Sequence, residues 1–145
     1  MSAVSEIMSK GAVAVDLEPG TSALDVASAM VRGRAGAIIA IKSGRPAGII
    51  TERDLLKKVA AKNIKPDQVR AEDIMSSPLV TVKAYDSVDT AAGLMARNRI
   101  KRLPVLEDDG SLAGMLSATD IAKRLAKILA DDQSRYSSLR PALEL

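Results

Sequence analysis

Two short stretches of the chain share residue types suited to holding a sugar. Thr51 and Asp54, and again Ser117 and Asp120, stand three residues apart, each pair following a glycine and two apolar residues (Gly48-Ile49-Ile50 and Gly114-Met115-Leu116). Where a strand passes into a helix, the first amides have no intrahelical partner and carry the positive end of the dipole, which favours an anion or an oxygen-rich ligand. A carboxylate three residues on can accept two hydrogen bonds from a ribose diol, as the acidic residue of dinucleotide-binding folds does. The glycine lets another group approach the backbone closely. The same Ser/Thr-x-x-Asp arrangement also closes an ordinary helix cap without any ligand. The two roles are compatible, because one hydroxyl can serve both.

A second group is cationic. Arg97-Asn98-Arg99-Ile100-Lys101-Arg102 leads into the apolar run Leu103-Pro104-Val105. A guanidinium suits phosphate because its planar fork donates two parallel hydrogen bonds. Arg99, Lys101 and Arg102 are therefore phosphate candidates, as is Arg53, which adjoins Asp54. For Arg97 and Arg99 the alternative is a solvated helix end, where cations offset the negative pole of the dipole.

Composition narrows the chemistry further. The 145 residues include no His and no Cys, removing the commonest general base, thiolate chemistry, disulfides and cysteine-type zinc sites. No nucleophile–base constellation stands out, so the chain reads as non-enzymatic, with no metal site and no required cofactor. Net charge is +3, too mild for the dense basic surface of a duplex binder but adequate for a small anion if the charges converge. No apolar run approaches the roughly 18 residues that span a bilayer. Met1 to Lys10 lacks a basic stretch followed by an apolar one, so no signal peptide is expected and the expected compartment is the cytoplasm. Two Asn, two Gln, no Cys and 27% charged residues lean toward thermostability.

These residues recur because the chain does. Ile7-Met8-Ser9 returns as Ile74-Met75-Ser76, Val13-Ala14-Val15 as Val80-Thr81-Val82, and Ser22 to Met30 as Ser87 to Met95. Ala37–Ile41 returns as Arg102–Leu106, and Ala47–Leu55 as Ala113–Ile121, the offset drifting between 65 and 67 residues. Such self-similarity indicates one supersecondary unit used twice. Each unit reads as a short helical turn ending at the Ile-Met pair, an extended segment, and a helix capped by Ser22 or Ser87 and running to Arg32 or Arg97. Two buried strands (Ile38–Ile41 and Gly48–Thr51; Leu103–Leu106 and Leu112–Ser117) and a closing helix (Glu52–Ala61; Ala118–Ala130) follow. The closing helices carry apolar stripes, Leu55, Leu56 and Val59 in one and Ile121, Leu125, Ile128 and Leu129 in the other. Met30 and Met95 read as core filling. The predicted fold is α/β (α+β), two βαββα-like repeats related by a pseudo-two-fold axis. Repeat 1 spans 1–65 with the start of a polar linker (Asn63 to Arg70), repeat 2 spans 66–130, and a tail with Tyr136 and Pro141 spans 131–145. That tail is open between an unstructured end and a segment docking on a partner.

The Ile-Met-Ser opening, the Leu-Pro-Val-Leu strand and the closing Gly-Met-Leu-Ser-Ala-Thr-Asp-Ile segment resemble the signature of the cystathionine-β-synthase (CBS) domain. Two copies over Val4 to about Leu129 resemble a Bateman module, here expected to stand alone. The resemblance implies clefts assembled from both repeats, with ribose on Thr51 and Asp54 in one and on Ser117 and Asp120 in the other. It puts base and phosphates near the residues before the Leu103 strand. The implied ligand is an adenine nucleotide (AMP, ADP or ATP, with AMP foremost), leaving S-adenosylmethionine and NAD open. With 1% aromatic residues, an adenine slot must be aliphatic, from Val13, Ile38, Val80, Leu103 or Pro104, each of which serves equally as core.

The two copies are unequal: Ile100-Lys101-Arg102-Leu103-Pro104 answers to Ala35-Gly36-Ala37-Ile38-Ile39, without the cations or the proline. One site should therefore bind better; which strand faces which aspartate is left open by the sequence, and Asp120→Ala is expected to weaken AMP more than Asp54→Ala. The apolar stripes suggest a homodimer, as CBS pairs commonly form, and a regulatory module needs a regulated protein as partner. The competing readings are a ligand-free dimerisation scaffold and, ranked last for want of aromatic platforms, a nucleic-acid binder.

Overall fold

The computed structural model describes residues 2–132 and 140–143. Two three-stranded sheets form, each with a parallel and an antiparallel pair, in the order β1-β2-β3 and β4-β5-β6. Repeat 1 runs β1 (Ala14–Asp16), α1 (Ala23–Gly33), β2 (Ala37–Lys42), β3 (Arg45–Thr51) and α2 (Glu52–Lys58). After α3 (Ala71–Ile74), repeat 2 gives β4 (Val82–Lys83), α4 (Val88–Asn98), β5 (Arg102–Leu106), β6 (Leu112–Ser117) and α5 (Ala118–Asp132). The βαββα expectation holds for both repeats. A last short helix, α6 (Arg140–Leu143), lies against α5, and Tyr136 with the rest of the tail falls outside the described residues.

Local signals set these boundaries. Ser22 caps α1 through its hydroxyl, which accepts from the Asp25 amide, and Ser87 caps α4 by accepting from the Thr90 amide. Both helices end on an arginine in the left-handed conformation, Arg34 (φ 50°) and Arg99 (φ 54°), a position where Gly or Asn is usual. Both arginines open onto the clefts described below. The two hairpins pair in equivalent registers: Ala37 lies opposite Thr51, and Arg102 opposite Ser117.

The sequence repeats and the packed units do not coincide. The first core gathers Leu17, Val26, Met30, Ile38 and Ile50, but Ala71 and Ile74 close it from beyond the linker. The second gathers Val82, Met95, Leu103, Val105 and Leu116, and Val4 closes it from the start of the chain. Backbone bonds fix both crossings: the Val4 amide donates to Asp86 O at 2.8 Å, Ser9 pairs with Met115, and Ser76 pairs with Ile49. Each repeat thus lends its opening turn to the other sheet. The polar linker is tied down as well, since the Ala23 amide donates to Val69 O and the Ala71 amide to Thr21 O. No helix among the described residues is long and apolar enough to cross a membrane.

Candidate functional site

Both Ser/Thr-x-x-Asp turns form complete capping boxes. The Thr51 amide donates to Asp54 Oδ2 at 2.8 Å, and the Asp54 amide returns a bond of 3.4 Å to Thr51 Oγ1. Ser117 and Asp120 repeat this at 2.9 and 3.0 Å. The capping role is therefore fulfilled at both turns, and each box uses one carboxylate oxygen. Lys58 lies 3.1 Å from the other oxygen of Asp54 and also donates to Ile74 O at 2.9 Å.

Each turn opens onto a cleft whose far wall comes from the other repeat. The larger, about 560 Å³, brings Thr51, Arg53 and Asp54 together with Val80, Arg99, Lys101, Arg102 and Pro104. Its floor is the Ile49–Ser76 crossing, and Leu79 and Ile100 extend its aliphatic wall. Arg53, Arg99, Lys101 and Arg102 enter no ion pair among the described residues. Four cations thus face one cavity whose acids are Glu52 and the already paired Asp54. An aliphatic slot beside converging cations suits a ligand with an apolar ring and an anionic end.

The smaller cleft, about 250 Å³, sets Ser117 and Asp120 against Val13, Arg34, Gly36 and Ala37, with Arg102 reaching it as well. The crossing of the repeats therefore sends Arg99 and Lys101 to the Asp54 cleft, while Arg102 reaches both. Cations therefore gather more at Asp54 than at Asp120, the aspartate expected to matter more.

Of the aliphatic candidates, Val80 and Pro104 line the larger cleft and Val13 the smaller. Ile38 and Leu103 do not line either. Both are fully buried at the centres of the two cores, on the strand faces turned away from the clefts. Arg97 projects along α4, beside Gly93, outside both clefts. The sequence reasoning missed Arg34, whose equivalence to Arg99 at the 65-residue offset would have exposed it. It also missed Ser76, Pro78 and Leu79, which follow the Ile-Met pair and become cleft wall only through the crossing.

A family model for the CBS domain matches residues 4–61 and again 71–127. The chain belongs to the CBS domain family. Among curated relatives, the uncharacterized protein MK0525 of Methanopyrus kandleri is 39% identical over 104 residues, 71% of this chain and 53% of that one. The chain thus spans about half the length of that relative. Among solved CBS structures, PAE2072 of Pyrobaculum aerophilum, complexed with AMP, is 29% identical with a TM-score of 0.73, covering 82% of this chain and 89% of that one. The CBS pair of protein MJ0100, in complex with 5′-methylthioadenosine and S-adenosyl-L-methionine, is 25% identical with a TM-score of 0.74, covering 86% and 99%.

Proposed function

We propose that this CBS pair is a ligand-sensing regulatory module, not an enzyme, that binds an adenine nucleotide in the Thr51–Asp54 cleft. The observation that carries the reading is the convergence of Arg53, Arg99, Lys101 and Arg102 on an aliphatic cavity large enough for a nucleotide. Phosphates would lie against these cations, the ribose at Thr51 and Asp54, and the base against Val80, Ile100 and Pro104. The cation count favours AMP, ADP or ATP over S-adenosylmethionine, whose sulfonium would enter a positive cleft. AMP stands first, because PAE2072 is a relative complexed with it. Asp54 takes precedence over Asp120 for the same reason of charge. The Ser117–Asp120 cleft is a second, weaker site.

Nucleotide binding would select among placements of the two repeats, because the cleft is built from both, and a regulated protein would read that placement. Self-association as a homodimer is part of the reading. Leu56, Leu125 and Ile128 are 63%, 57% and 52% exposed on α2 and α5, an apolar cost that a second copy would remove.

The complete capping boxes favour a second reading, a ligand-free dimerisation scaffold. Calorimetric titration with AMP, ADP, ATP, S-adenosylmethionine and NAD separates the two. The nucleotide reading expects saturable binding of AMP, ADP or ATP that weakens with added salt. No heat from any of them at millimolar concentration leaves the scaffold.

A further inference from the structure

Among the described residues, Arg102 is the only cationic one that lines both clefts. Its backbone lies opposite Ser117 in the β5–β6 ladder, which sets it at the smaller cleft. Its side chain reaches Gly36, which lines both clefts. Nη2 lies 3.2 Å from where a Cβ on Gly36 would stand, and Glu52 Oε1 lies 3.3 Å from the same point. The guanidinium therefore lies close to Gly36, between the two clefts, with Glu52 of the larger cleft near the same point. The pseudo-two-fold relation maps Arg102 onto Ala37, which lies opposite Thr51 as Arg102 lies opposite Ser117. Ala37 is buried and carries no charge to offer an anion. A symmetric pair would hold two cations here; this chain holds one between two clefts.

We infer that Arg102 is a shared ligand group through which the two clefts compete for anions. The inference deepens the nucleotide reading by adding regulation to the same sites, and it rests on that reading only for the adenosine part of the ligand. An anion in the larger cleft meets Arg53, Arg99 and Lys101 and also draws Arg102. The smaller cleft then keeps Arg34 alone among the cations that line it. A second anion binds there more weakly, and by reciprocity an anion placed there first weakens binding in the larger cleft. Gly36 is part of the device, since a methyl at that position would stand in the path of the guanidinium.

Titration with inorganic pyrophosphate and, separately, with AMP tests this, with amide chemical shifts at Gly48 and Thr51 reporting the larger cleft and those at Gly114 and Ser117 the smaller. The wild-type protein should fill the larger cleft first, with the second step weaker by about tenfold, the scale of one charge-assisted hydrogen bond in a wet site. Arg102→Ala should weaken the first step by about tenfold and leave the second nearly unchanged, closing the gap. Gly36→Ala, which keeps every charge, should narrow it as well. Equal steps in the wild type, an equal loss at both steps in Arg102→Ala, or no pyrophosphate binding at millimolar concentration each overturns the sharing. A pyrophosphate gap that depends on Arg102, with no AMP binding, sinks the nucleotide reading and leaves the sharing intact.

Discussion

Met75 occupies the space that a side chain on Gly48 would need: a Cβ there would stand 2.5 Å from the Met75 sulfur and 3.0 Å from Ser76 O. Gly114 stands in the same relation to Met8 and Ser9, except that its closest neighbour is the backbone oxygen of Ser9. The glycine of each motif thus admits the crossing segment of the other repeat. A methionine end can swing aside, whereas a hydrogen-bonded carbonyl cannot, because Ser9 and Met115 exchange both backbone bonds. Gly114→Ala should therefore destabilise by about 3 kcal/mol and Gly48→Ala by about 1 kcal/mol. Urea unfolding of both variants checks the order; equal losses would contradict it.

The crossing also explains what was legible in the sequence. Periodicity and caps located Ser22, Ser87, Thr51 and Ser117 at the starts of their helices, because those signals act within one turn of chain. The repeat itself was visible because every element recurs in order. The partnership of Asp54 with Arg99–Arg102 was not, since it depends on which sheet each opening turn joins. Ile38 and Leu103 looked like cleft wall for a related reason: a short all-apolar strand does not show which face is turned to solvent.

Val4 tests the crossing energetically. It is fully buried and packs into the core of repeat 2 although it begins repeat 1. Val4→Ala removes two methyl groups from a closed core and should cost about 2 kcal/mol. Hydrogen exchange should show the loss first in β4–β6, whose core Val4 closes, with β1–β3 less affected. Faster exchange confined to β1–β3 would contradict the assignment.

Lys42, at the end of β2, pairs with Glu72 of α3 at 2.8 Å and so ties the first sheet to the segment after the linker. The hydrogen bond from Lys42, with its charge, holds the Glu72 carboxyl below the usual range, while the same bond from Glu72 raises Lys42. A lowered carboxylate contributes stability above its unfolded pKa and loses it as pH falls through the folded value. A raised lysine contributes below its unfolded pKa and loses that as pH rises through the folded value. The pair should therefore stabilise across the neutral range and fade at both extremes. It is solvent-accessible, so the effect is small. Glu72→Gln should lower Tm slightly at neutral pH, and its difference from the wild type should shrink as pH falls through the lowered Glu72 range.

The capping boxes bear on how the aspartates can be tested. Asp54→Ala removes the Thr51 bond and the Lys58 ion pair along with any ribose contact, so a weakened nucleotide affinity would be ambiguous by itself. The expected loss of stability is about 1 kcal/mol, the scale of one cap. Arg99→Ala and Lys101→Ala leave the cap alone and should each weaken AMP severalfold without moving the unfolding midpoint by more than a few tenths of a kcal/mol. If Asp120→Ala weakens AMP more than these do, the ligand sits in the smaller cleft and the charge argument fails.

The exposed apolar residues make the remaining prediction. Leu125 and Ile128 lie one turn apart on α5, and Leu56 stands on α2, all more than half exposed on helices that also carry Lys57, Lys123, Arg124 and Lys127. Such a stripe is stable in water only at a cost that burial against another apolar face removes. Leu125→Asp with Ile128→Asp puts two carboxylates into that face without touching the core, so each repeat should stay folded. Light scattering should report a dimer for the wild type and a monomer for the double variant, with far-UV circular dichroism unchanged. A wild type that is monomeric at high micromolar concentration would show that these residues face something other than a second copy.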